Sequence, residues 1–271
     1  MPLSLRMDLS AQLIPILTSQ SLPRPSKTWL NSIIQLRNPP PPIASLVATA
    51  RIRLLATDLT TRGLLDGAYV AANSFPPNLA NPEVQQARLG RDVVVQVLDI
   101  EDISRSRWEQ VEELEAIERG EQTRGREIVR LPTGGEDEER GDEAATQALG
   151  PTQTQALGGG AAGSAAAPTG QRDARDSGRK NSMHKLVLQD CKGQKIYAIE
   201  LRRVDGIAIG KTNIGEKLLL RTWSNISRGI LLLEPAACVV LGGKVDAWHK
   251  AWIEGRLGAL RAAVGADRRN Q

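Results

Sequence analysis

The chain has 271 residues, 41% hydrophobic but only 3% aromatic, with a formal net charge of +4 and a pI near 9.3. That hydrophobic share suffices for a buried core in one or two domains. No stretch reaches the ~20 apolar residues of a membrane span, and two cysteines, Cys191 and Cys238, cannot build the disulfide framework of a small secreted domain.

Ser10, Gln12 and Pro15 break up the N-terminal apolar residues, so no signal peptide is expected and the chain reads as intracellular. A helix is plausible around Leu9, Leu13 and Leu17, with Pro15 expected to interrupt it. Ser26 is positioned to cap a second helix with Trp29, Ile33 and Leu36 on one face, ended by the run Pro39–Pro42. Leu46, Val47, Ala50 and Leu54 line one side of a third, with Asp58 near its end. These pieces predict a compact helical bundle over residues 1–72, followed by a Pro/Asn-rich connector over 73–88.

From Leu89 the pattern changes. Asp92–Ile100 is rich in valine and broken only by Gln96, which predicts a strand. Ser104 is expected to cap a short helix through Trp108, Val111 and Leu114. Residues 118–180 contain an acidic run and a Gly/Ala stretch that cannot bury enough apolar surface to offset ordering, so they are expected to be disordered. Charge follows this organisation. Residues 101–150 carry fifteen acidic against seven basic side chains, whereas 171–271 carry nineteen basic against ten acidic. The second bias points weakly to an acidic or nucleic-acid partner.

Strand character returns at Leu186–Gln189, with a tight turn at Asp190–Gly193. Lys195–Leu201 alternates Tyr197, Ile199 and Leu201 against Ala198 and Glu200, the period of a half-buried strand. Lys217–Thr222 and Gly229–Leu233 are further strands, joined by a turn at Ser224–Arg228. A short strand, Cys238–Leu241, stops at Gly242–Gly243, and Val245, Trp248 and Trp252 mark one face of a final helix. Short strands at this spacing predict a small β-barrel. The fold class is therefore α+β: an N-terminal three-helix bundle followed by an OB-type barrel over 89–256, with the insertion after its first strand and a tail over 257–271. The whole scheme requires the valine-rich strand to pair with strands that resume some sixty residues later.

Several stretches together resemble the RecQ-mediated genome instability protein 1 family. They are Trp29-Leu30 with Leu54–Leu59; Val95–Val97 through Asp99-Ile100, Ser104 and Trp108–Gln110; and, most specifically, Gly215–Leu220, Arg228–Leu233 and Val240–Val245. The resemblance implies a non-catalytic scaffold subunit of the nucleus. It would bind topoisomerase III and a RecQ-type helicase, touch DNA weakly or indirectly, and promote decatenation and dissolution of double Holliday junctions. It implies an insertion that reaches towards the topoisomerase gate, and makes Gly215, Lys217, Arg228, Trp248 and Trp252 the candidate partner-binding residues. Two departures stand out. Ile214 precedes Gly215 where the family often has proline, and the chain ends soon after the Trp248 helix, leaving no expected second OB domain.

Other constellations are weaker. Gly206–Thr212 nearly spells a phosphate loop but is one residue short between its glycines, and a strand follows where the motif needs a helix. His184 and His249 are far apart and lack a nearby cysteine pair, so neither metal nor cofactor is expected. Ser182 and Lys185 form an S-x-x-K string at the edge of the expected disorder. Trp248 and Trp252 stand one helical turn apart, a spacing more often used to cover a core than to anchor a partner. Lys217 beside a tight turn reads as a solvated charge, and Arg202, Arg203, Lys211, Arg221 and Arg228 as a basic surface. The alternative function is an OB module that binds single-stranded DNA itself. Only Tyr197 and Trp223 offer stacking platforms there, so that affinity should be low.

Overall fold

A computed structural model describes residues 3–121 and 182–269. The expected disordered insertion, 118–180, lies outside the described residues apart from 118–121.

The bundle is built from α1 (Leu3–Ser19), α2 (Lys27–Ile34) and α3 (Ile43–Ala56), with a short α4 (Gly67–Ala72) after it. Leu13 and Leu17 of α1, Leu30 and Ile34 of α2, and Leu46, Ala50 and Leu54 of α3 form its core. Pro15 does not interrupt α1 as expected. Its ring is exposed, and it deprives only Ala11, four residues back on the same solvent-facing side, of a helical donor. Ser26 caps α2 by accepting from the Trp29 amide at 3.1 Å. That helix closes early, when the Gln35 amide bonds back to Asn31 and Ile33, which leaves Leu36 exposed and off the apolar face.

The barrel begins earlier than expected. Within the expected connector, Phe75 is a barrel-core residue, its amide donating to the buried Asp190 carboxylate at 2.8 Å, and Gln86–Arg88 forms strand β1. The central strand, β2 (Val93–Asp102), pairs antiparallel with β3 (His184–Gln189), from Gln96↔Gln189 to Asp102↔His184, with a register shift between Val97 and Asp99. The valine-rich segment therefore does close a sheet with the strands beyond the insertion. β4 (Lys195–Glu200) follows β3 antiparallel and pairs parallel with β7 (Ile230–Leu233). β5 (Lys217–Leu220) lies on the other side of β2, and β8 (Cys238–Gly242) borders β5.

The expected turn at 224–228 instead contains strand β6 (Asn225–Ser227), which pairs with both β1 and β7. The reversal sits at Arg228–Gly229, both with positive φ (47° and 76°), as a two-residue hairpin matching strand twist requires. β5 and β6 are consecutive, with only Arg221–Ser224 between them. One bent segment thus bonds to β2 at one end and to β7 at the other, curling the eight-stranded sheet into its OB form.

Two helices flank the barrel. α5 (Arg107–Glu118) is capped by Ser106 rather than Ser104, because Glu109 stands three residues beyond Ser106 and completes a capping box. The Ser104 hydroxyl is spent on Asp102, at 2.5 Å. The last helix, α6 (Asp246–Arg269), continues through the expected start of the tail at 257. Leu257 is buried, and Arg261 binds Glu115 of α5 at 2.8 Å.

Candidate partner-binding surface

The turn before β5 carries two of the five candidate residues. Gly215 has φ +84°, and a Cβ there would lie 2.5 to 2.7 Å from Val245, including its backbone nitrogen at 2.6 Å. Only glycine fits a left-handed position with a neighbouring chain this close. The Gly215 amide donates to Val97 at 2.7 Å, Val245 donates to the Ile214 carbonyl at 3.1 Å, and the Ile214 amide donates to His249 Nδ1 at 3.2 Å. The turn is thereby stitched to β2 and to the start of α6.

Lys217 is not a solvated charge: it has 0% exposure. Its Nζ donates to the Gly215 carbonyl at 2.6 Å. Burial lowers its pKa to about 8, against the opposing pull of Asp58. Burial also works against the Asp58 carboxylate, but hydrogen bonds from Gln96 and Thr60 and the charge of Lys217 outweigh it and hold that group below its ordinary value. Gln96, the apparent flaw in the valine strand, is fully buried. Its Nε2 donates to Asp58 at 2.6 Å and to Gln189 at 3.0 Å, and its Oε1 accepts from the Leu59 amide at 3.0 Å. These polar residues tie the barrel to the bundle, among Val94, Cys191 and Leu219, which lie in the bundle's own core.

Trp248 and Trp252 pack against the barrel core. Trp252 Nε1 donates to Asp99 Oδ1 at 2.7 Å, and its ring stacks on His249 and under Arg256. Of the five candidates only Arg228 is exposed, at the β6–β7 turn. Four of them therefore shape the fold, and they do not converge on one surface.

A strip of apolar surface lies on the outer side of β4, whose inward-facing residues are not its more apolar ones. Ile196, Ala198 and Glu200 point inward, while Tyr197 is 57% exposed and Leu201 lies open beyond the strand. The buried Glu200 carboxylate accepts from the amides of His184 and Val204, each at 3.0 Å, and meets the His184 ring at 2.6 Å. A carboxylate so satisfied can occupy the inner face. The outer face then presents Val187, Tyr197 and Ile230 in one cross-strand row and Ile199 and Leu232 in the next. Lys185 borders this strip, bonded to Glu101 at 2.9 Å and over the Tyr197 ring.

The near-miss phosphate loop is a closed turn. Its Lys211 and Thr212 amides both donate to the Ala208 carbonyl, at 3.0 and 2.9 Å, and Ile207 and Ile214 are in the barrel core. Those donors face their own chain, where a phosphate cradle would need them turned outward. Among the described residues no group of three or more potential metal ligands is found, and no helix is long and apolar enough to cross a membrane.

Comparison with known proteins agrees with this architecture. Residues 17–61 match the model described as RMI1, N-terminal helical domain, and residues 75–256 match RMI1, N-terminal OB-fold domain. The chain is 26% identical over 178 residues to the Schizosaccharomyces pombe protein named RecQ-mediated genome instability protein 1. That match covers 65% of each chain, a little under two thirds of the relative.

Proposed function

Because the chain belongs to the RMI1 family, we propose that it is a non-catalytic scaffold subunit serving genome stability in the nucleus. It binds topoisomerase III and a RecQ-type helicase and favours strand passage, decatenation and the dissolution of double Holliday junctions. The observation that carries this reading is the outer face of β3, β4 and β7. Val187, Tyr197, Ile199, Ile230 and Leu232 form adjoining rows of apolar side chains on a sheet surface. A contiguous apolar patch on a barrel is the usual mark of a protein-binding face.

In this reading Gly215 and Lys217 act on the partner indirectly, by holding the turn and the bundle that frame the barrel. The test is co-purification of the full chain with topoisomerase III, followed by decatenation. Tyr197→Glu places a charge in the centre of the strip and should weaken the complex at least ~tenfold, as expected for an interface anchor, while leaving the melting temperature nearly unchanged. Full retention by that variant would refute the assigned face. Failure of the wild-type chain to co-purify would refute the scaffold role itself.

A further inference from the structure

On the flank of the barrel, the segment that leads towards β1 and the start of β4 enclose an open cleft of about 400 Å³. Its apolar lining is Phe75, Leu79 and Ile196, of which Phe75 and Ile196 belong to the barrel core. Its polar lining is three carboxamides and one cation: Asn78, Asn81, Gln194 and Lys195. Among the described residues no carboxylate lines it.

Both walls are held in place. The buried Asp190 carboxylate accepts from the Phe75 amide on one side, at 2.8 Å. On the other it accepts from the Lys192 and Gln194 amides, at 2.9 and 2.8 Å. Asn78 is left-handed, with φ +63°, and its carbonyl accepts from the Asn81 amide at 3.1 Å. Behind that turn the β6–β7 hairpin approaches so closely that a Cβ on Gly229 would lie 2.5 Å from the Ala80 carbonyl oxygen. A cleft fixed before binding avoids the ordering cost that a mobile one adds.

The polar groups are positioned but not used. Among the described residues the side chains of Asn78, Gln194 and Lys195 have no hydrogen-bond or ion-pair partner. Asn81 Oδ1 accepts from the Glu83 amide at 3.0 Å, which leaves its nitrogen to donate. A carboxamide offers a donor and an acceptor side by side, the complement of the N–H and C=O groups of an extended chain. Lys195, with Lys192 exposed in the same turn, sets the sign of charge that suits the cleft. An unpaired base finds no platform here, because the ring in the lining, Phe75, is buried.

We propose that this cleft binds an extended acidic peptide of a partner protein. One apolar side chain rests on Phe75, Leu79 and Ile196, and a neighbouring carboxylate faces Lys195. Asn78, Asn81 and Gln194 pair with the peptide backbone between them. The site uses none of the apolar rows on β3, β4 and β7, so its failure leaves the scaffold reading untouched.

The probe is an end-blocked, fluorescein-labelled peptide with one leucine between aspartate–serine pairs, titrated with the full chain and read by anisotropy. Saturable binding tighter than about 1 mM is expected. Replacing the probe's leucine with serine should weaken it about tenfold, the worth of one buried leucine side chain. Replacing its aspartates with lysines should abolish binding. Lys195→Glu should weaken the acidic probe about tenfold at low salt and by less at high salt, as an open charge pair requires. Asn78→Gly keeps the left-handed backbone without the carboxamide and should weaken binding about fivefold. Melting temperatures of both variants should stay close to wild type. No binding by the wild-type chain, or wild-type affinity in either variant, overturns the proposal. Equal binding of the lysine probe or of the serine probe overturns it as well.

Discussion

A lysine with no exposed surface holds its ammonium against the Gly215 carbonyl, and its titration is measurable. The unfolded chain keeps the ordinary lysine pKa of 10.5, whereas the folded value is lowered to about 8 by burial. Below pH 8 the folded state therefore carries the charge at a cost of about 3 kcal/mol. Between pH 8 and 10.5 the unfolded state binds a proton that the folded state has released, so this residue's contribution to stability rises with pH there. Lys217→Met lacks that proton. The wild-type stability minus that of the variant should climb by about 3 kcal/mol across the window, read from urea unfolding at several pH values, and a flat difference would mean a hydrated ammonium. Gly215 offers a steric counterpart. Gly215→Ala should cost more than about 2 kcal/mol, and Val245→Ala should not rescue it, because the backbone nitrogen of Val245 is itself 2.6 Å from the added Cβ.

Strand β4 marks how far the elements were legible. Its extent was readable from alternation, but its phase was not, since Tyr197, Ile199 and Leu201 are more apolar than Ala198 and Glu200, yet the latter pair faces inward. The deciding contact, Glu200 with His184, joins residues sixteen apart across a strand pair and leaves no local trace. The role of Gln96 was illegible for the same reason: its partners Asp58, Leu59 and Gln189 all come from distant segments. Local signals succeeded where the chemistry is local, as at the Ser26 cap and the Asp190–Gly193 turn, whose Gly193 amide donates to the Asp190 carbonyl at 3.1 Å. The inverted phase predicts opposite sensitivities along one strand. Tyr197→Ser should shift stability by less than about 1 kcal/mol. Glu200→Ala should cost about 3 kcal/mol or more, because the His184 and Val204 amides and the histidine ring lose their acceptor in a buried site. Thermal melts of the two variants compare these directly.

At the scale of the molecule, bundle and barrel have separate cores joined by a seam. Val94 and Leu219 on the outer side of the sheet, with Cys191 in the β3–β4 turn, join Leu13, Leu54 and Leu59 in one core, while Gly243 sits so close to the Leu55 carbonyl that an added Cβ would collide with it. The bundle's core is completed by residues from the barrel's outer side, so unfolding should be one cooperative transition. Near-ultraviolet circular dichroism of the whole chain and exchange of the α3 amides should report the same midpoint. Gln96 stands at the centre of this junction, and truncating it leaves the Leu59 amide unpartnered and takes one of its hydrogen bonds from the Asp58 carboxylate, both in the seam. Gln96→Ala should lower the midpoint by about 2–3 kcal/mol of stability and loosen α3 ahead of the barrel, so that its amides exchange before the β2–β3 amides do. Two separate transitions in the wild-type chain would instead make the seam a contact between independent domains.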